Sequence, residues 1–166
     1  MDATTINTIA TVAGIVFTVS GIIVTVILTR KKKIITISER VKLYVSPYSN
    51  GSFVFDYSNN DGQYEIGQGQ HSFCTKWSKA SHKSIHAYMD GKGIDSISLL
   101  KAPVDLANIS SIEGDFSSRS RTPQIGDAVI WKNSNGKYAI TKIDAICDDT
   151  RGDKNDKLEC EYVILE

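Results

Sequence analysis

Four groups of side chains in this sequence have the types and spacing to do chemistry. His71 and Cys74 are followed by His82 and His86, two pairs of potential metal donors. Structural zinc sites use such donors in well-defined pairs with a longer gap. Here only seven residues separate the pairs, and His86 falls in a strand-like alternation, so we expect ordinary surface or core roles and no metal. A Cys74–His pair has the chemistry of a nucleophile and its base, but no third residue in the sequence orients it. Asp148, Asp149, Asp153 and Asp156 offer oxygen ligands to a hard cation. They lack the spacing of an EF-hand loop, and Arg151, Lys154 and Lys157 lie among them, so a solvated turn is expected. The fourth group is Trp77, Lys79, His82 and Lys83, with Arg119 and Arg121 in a second polar loop. An aromatic ring beside several cations suits a small anionic ligand such as a phosphate or nucleotide, provided both loops stand at one end of a barrel. Two unrelated solvated loops are the alternative. No G-x-S-x-G, H-E-x-x-H, phosphate-binding loop or dinucleotide fingerprint occurs. We therefore expect neither an enzyme nor a cofactor.

The elements that must position these residues begin with an uncharged stretch. Ala3 to Thr29 holds no charged side chain, and Arg30, Lys31, Lys32 and Lys33 follow at once. Its apolar part, 9–29, is long enough as a helix to cross about 30 Å of hydrocarbon. It reads as a retained anchor and not a cleaved signal, because no positive n-region precedes it and no small-x-small site comes before the cations. The cations on its C-terminal flank place residues 34–166 in the cytoplasm and residues 1–8 outside, at the inner (plasma) membrane. The cluster at 30–33 is also placed to meet anionic lipid. Ala10, Gly14, Thr18, Gly21 and Thr25 form a stripe of small residues along one helical face, a surface suited to self-association in the membrane.

Beyond the anchor the composition changes. Setting aside Asp2 and the four basic residues at 30–33 leaves 15 Lys+Arg against 18 Asp+Glu, a net charge of −3. That argues against a dedicated nucleic-acid binder. Three cysteines without a C-x-x-C fit a reducing compartment. Residues 34–45 alternate as a strand. Ser52–Tyr57 and Gln63–Ile66 flank an Asp61-Gly62 turn and read as a hairpin. The same grammar returns at Trp131–Ile140 around Asn135-Gly136, and convergence is favoured over duplication. Residues 67–77 and 84–89 read as strands. Residues 94–106 are ambiguous: Ile94, Ile97, Leu99 and Leu100 suit a short helix, but Pro103 stops it. Residues 110–122 form a polar connection, a candidate mobile loop or sub-boundary. Residues 128–131, 138–146 and 158–165 complete a pattern of 8–10 short antiparallel strands, either a small barrel or a sandwich.

Pro123, Gly126, Asp127, Val129 and Trp131 follow the pattern P-x-x-G-D-x-V-x-W. Over about 40 residues this resembles the opening of SH3-like small barrels. The whole layout, a membrane anchor followed by a compact β domain, resembles small membrane effectors of bacterial antiviral defence. That resemblance implies a β-barrel that senses a cyclic-nucleotide signal and helices that cluster in the membrane. The better-known examples carry two helices where this chain has one. Two functions are expected on these grounds. One is a membrane-tethered module that senses a small ligand and acts through helix clustering. The other is a structural adaptor that docks a protein partner at the membrane.

Overall fold

The computed structural model describes residues 44–109 and 111–165. The expected anchor with its small-residue stripe, the basic cluster and the strand expected from residue 34 lie outside the described residues, apart from the end of that strand. Among the described residues, no helix is long and apolar enough to cross a membrane.

Among the described residues ten strands form two five-stranded sheets, and these do not close into a barrel. The first sheet runs in the order β1 (Val45–Ser46), β3 (Gln63–Ile66), β4 (Phe73–Lys79), β5 (Ile85–Tyr88) and β7 (Ser120–Arg121). The second runs β2 (Asn50–Phe55), β10 (Lys157–Leu165), β9 (Tyr138–Cys147), β8 (Ala128–Asn133) and β6 (Ile94–Leu100). All pairings are antiparallel except β1 with β3, which is parallel.

Strict alternation makes the inner faces. Phe73, Thr75 and Trp77 of β4 are buried, as are Leu158, Cys160, Tyr162 and Ile164 of β10. Period-two patterning turns every second side chain inward. Two aromatic pairs bridge the sheets. Phe53 stacks on Tyr64 with centroids 4.1 Å apart, and Trp77 meets Trp131 edge-on at 5.2 Å. Each such pair adds about 1 kcal/mol beyond the area it buries. Both indoles find an acceptor: Trp77 Nε1 donates to Thr75 Oγ1 at 2.8 Å, and Trp131 Nε1 to Thr141 Oγ1 at 2.9 Å.

The second sheet is covered on its outer face too. Ala128, Ile130 and Ile140 are buried there beneath Val104, Leu106, Ile109, Ile112 and Phe116. The polar-looking connection therefore carries an apolar underside against β8 and β9. Gly114 closes over β6, where an added Cβ would stand 2.2 Å from Ser98 Oγ.

Two sequence expectations are corrected. Residues 94–100 form β6, not a helix. Ile97 faces the inner core and Leu100 the outer one, a division that pairing with β8 decides and local spacing does not. The first Asp-Gly turn does not join a hairpin, because β2 pairs with β10 and β3 with β4. Asn60, Asp61 and Gly62 do adopt positive φ (51°, 55° and 67°), but they carry the chain from one sheet to the other. The second hairpin forms as expected, with Lys132 opposite Tyr138 and Gly136 at φ 72°. Buried Asn133 holds it: Oδ1 accepts from the Asn135 and Lys137 N–H groups, and Nδ2 donates to the carbonyls of Gln70 and Ser72.

Candidate functional site

The acidic turn is not simply solvated. The Asp148 and Asp156 side chains are buried and converge with Asp149 on one ammonium. Lys79 Nζ lies 3.0 Å from Asp148, 2.6 Å from Asp149 and 3.1 Å from Asp156. Arg151 Nε pairs with Asp148 Oδ2 at 3.0 Å. Tyr57 Oη and Ser58 Oγ donate to Asp156, and the Asp149 N–H does so at 3.0 Å. Burial alone would raise the Asp156 carboxyl. Donation from Ser58, the Asp149 N–H, Lys79 and Tyr57 outweighs it and holds the group well below the usual carboxylate range. Burial, and then Asp156, push the Tyr57 phenol up. The hydrogen bond to Asp149 leads the contacts that raise Lys79. These three carboxylates are the cluster among the described residues with metal-ligand spacing, and the Lys79 ammonium sits among them, with Arg151 a second cation on Asp148. The arrangement ties β4 to the β9–β10 connection across the two sheets.

The other residues expected to bind an anion are placed as follows. The two loops do meet: the Ile85 N–H donates to the Pro123 carbonyl at 3.1 Å, the Ile125 N–H to Lys83 at 3.2 Å, and β5 pairs with β7. Their cations, however, are largely committed. Arg119 makes a two-pronged pair with Asp90 at 2.8 and 2.7 Å. Arg121 pairs with Asp115 at 3.0 Å and donates to its carbonyl. Hydrogen bonds from Ser117, with Arg121 adding to them, lower the Asp115 carboxyl to about 2. Trp77 is 1% exposed and belongs to the core. His82 and Lys83 remain exposed at the loop tip.

His71, Cys74, His82 and His86 do not gather. His86 Nδ1 lies 3.0 Å from Thr122 Oγ1. The Cys74 thiol donates to Gln63 Oε1 at 3.3 Å, and burial pushes it up. A protonated thiol bonded to an amide oxygen is a poor nucleophile. His71 lines a shallow cleft of about 360 Å³ with Pro47, Tyr48, Ser49, Gly67, Gln68 and Ile164.

The most open feature is the outer edge of β2. The Ile164 N–H donates to the Ser49 carbonyl at 2.7 Å, and the β2–β10 register is unbroken. Alternation of the antiparallel ladder then turns the backbone groups of Gly51, Phe53 and Phe55 toward β10, and those of Asn50, Ser52 and Val54 outward. Among the described residues no strand pairs with that side. The edge strands β1 and β7 of the first sheet have two residues each; β6, the other edge of the second sheet, has seven and carries Asp95, whereas β2 has six. It holds no charge and no proline, and Val54 is 54% exposed. Such an edge is a ready template for another strand. The sequence reading missed it because pairing Ser52–Tyr57 with Gln63–Ile66 would have assigned that strand a different neighbour.

No family model, curated protein or solved structure matches this chain.

Proposed function

We propose that this chain is a membrane-tethered, non-enzymatic docking protein. Residues 9–29 anchor it in the inner membrane with residues 1–8 outside. The cytoplasmic β domain captures an extended protein segment along β2. The observation that carries this reading is the uncharged, six-residue edge at Asn50–Phe55, which no strand among the described residues covers. Strand addition needs little else: main-chain hydrogen bonds supply affinity, and alternate side chains supply selectivity.

The test places a photo-cross-linking residue at Ser52 of the full-length chain in native membranes, with a second at Asn155 as control. Position 52 is expected to give a defined adduct and position 155 none. Val54→Pro removes an outward N–H and no ladder bond, so it leaves folding intact and abolishes the adduct. An adduct equally strong at both positions, or one unaffected by the proline, refutes the reading. A C-terminal reporter active only outside the cytoplasm refutes the topology.

The ligand-sensing alternative draws support from one observation: the Lys83 and Pro123 loops are joined, with exposed His82 and Lys83 at their tip. Thermal stabilisation of the full chain by a nucleotide, lost in Lys83→Ala, would favour it. No response across linear and cyclic nucleotides would remove it.

A further inference from the structure

The docking edge has one partner of matching chemistry: the same edge of a second chain. The geometry points to an antiparallel β2–β2′ pair about a two-fold axis at Ser52, joining two five-stranded sheets into one of ten strands. This inference rests on the docking reading and names its occupant.

The register follows from the ladder. Asn50, Ser52 and Val54 carry the outward backbone groups, so a pair centred on Ser52 sets Ser52 opposite Ser52′ and Asn50 opposite Val54′. All three positions then fall in hydrogen-bonded pairs, and six N–H and six C=O groups find partners. Shifting the strand by one residue would set outward groups against inward ones and lose them. The strand has no charge, so the two-fold brings no like charges face to face. Edges that avoid self-pairing carry a lysine, a proline or an inward charge, and Asn50–Phe55 has none of these.

The point of attachment favours the same partner. The undescribed N-terminal segment joins the domain at Tyr44, whose ring packs edge-on against Phe55, the last residue of β2, with centroids 6.3 Å apart. The docking strand therefore lies where the tether begins. One six-residue strand pair buries less than the surface a stable soluble dimer needs. Confinement by tethers supplies the missing concentration, and the small-residue stripe at Ala10 to Thr25 offers a second contact.

Position-specific disulfide trapping of the full-length chain in membranes tests this. In the proposed register the two Ser52 Cα atoms lie about 5.5 Å apart, inside disulfide range. The two Val54 Cα atoms are separated by four residues along the strand, about 14 Å. Under mild oxidation Ser52→Cys is expected to run mostly as a dimer. Val54→Cys and the wild-type chain, with Cys74, Cys147 and Cys160, stay monomeric. Adding Val54→Pro to Ser52→Cys cuts the dimer at least tenfold.

Equal trapping at positions 52 and 54, or trapping that survives the proline, overturns the pairing. If Ser52→Cys stays monomeric while the cross-linker at 52 captures a different protein, the homotypic pair is wrong and the docking reading stands. If both experiments are blank, both readings fall.

Discussion

Lys79 is the side chain whose removal should cost this domain most for its exposure. In Lys79→Met the stem stays and the ammonium goes. The Asp148 and Asp156 side chains, 0% and 5% exposed, then face each other and Asp149 without that cation. Removing one partner from a buried ion pair costs about 3–5 kcal/mol. Lys79 is itself a third exposed, and Arg151, Thr150 and Ser58 still serve the carboxylates, so the low end applies. We expect a loss of about 3 kcal/mol. For a domain of this size that is about 12 °C in Tm, at about 4 °C per kcal/mol. The assay is thermal unfolding of the full chain in detergent, read by Trp77 and Trp131 fluorescence. Wild-type Asp156 is depressed, so its contribution is present above the unfolded pKa of about 4 and is lost as pH falls through the lower folded value. Without Lys79 the folded carboxyls rise, and they protonate before those of the wild type. The gap between variant and wild type should therefore hold from pH 7.5 to pH 5 and narrow below about pH 4, where the variant's carboxyls protonate first. A Tm loss below about 3 °C, or a gap that does not change with pH, would show that the ammonium does not offset the buried carboxylates.

Other expectations follow from single contacts. A Cβ at Gly62 would stand 2.0 Å from the Trp77 carbonyl at φ 67°, whereas at Gly136, with φ 72°, it would meet nothing within 4 Å. Gly136→Ala should cost about 1 kcal/mol in denaturant unfolding and Gly62→Ala more than about 4 kcal/mol; equal costs would deny the close approach. Asn133→Ala strands the Ser72 carbonyl and two N–H groups and should cost about 2–3 kcal/mol with an unchanged denaturant slope, a value below 1 kcal/mol counting against the network. Gly14→Leu with Gly21→Leu should reduce oligomer size in detergent, and an unchanged size removes the stripe from the account.

Local signals were readable in the sequence wherever one strand follows another directly. The Asn135-Gly136 hairpin and the run from Ala128 to Ile146 declare themselves, because a tight turn fixes the pairing of its flanks. The Asp61-Gly62 turn carries the same dihedral requirement but joins different sheets. Turn chemistry sets the backbone locally and does not choose partners 100 residues away, such as Cys160 for Phe53. Residues 94–100 were ambiguous because β6 sends side chains into two cores, which blurs alternation. The knot around Lys79 was hidden for a related reason. Its members lie at 57, 58, 79, 148, 149, 151 and 156, and only the pairing of the sheets gathers them. Burial then turned an apparently solvated acidic turn into a compensated interior group.

The two-residue strand β1 has a mechanical consequence. It is the first part of the described domain that a pull from the N-terminal side would load. Its fastenings are few: pairing of Val45 and Ser46 with Glu65 and Ile66, the Gly67 N–H on the Ser46 carbonyl at 2.8 Å, and Ser46 Oγ on the Tyr162 hydroxyl at 2.7 Å. Tension from the N-terminal side would work on these bonds before it reached the aromatic core. Peeling β1 away would strip the outer neighbour from β3 and leave the Tyr162 hydroxyl, whose ring lies beside Gly51 of β2, with the Tyr48 carbonyl at 3.2 Å in place of Ser46. A pull on this end would thus lengthen the chain by a few residues, bare a fresh sheet margin, and leave the two bridging aromatic pairs in place.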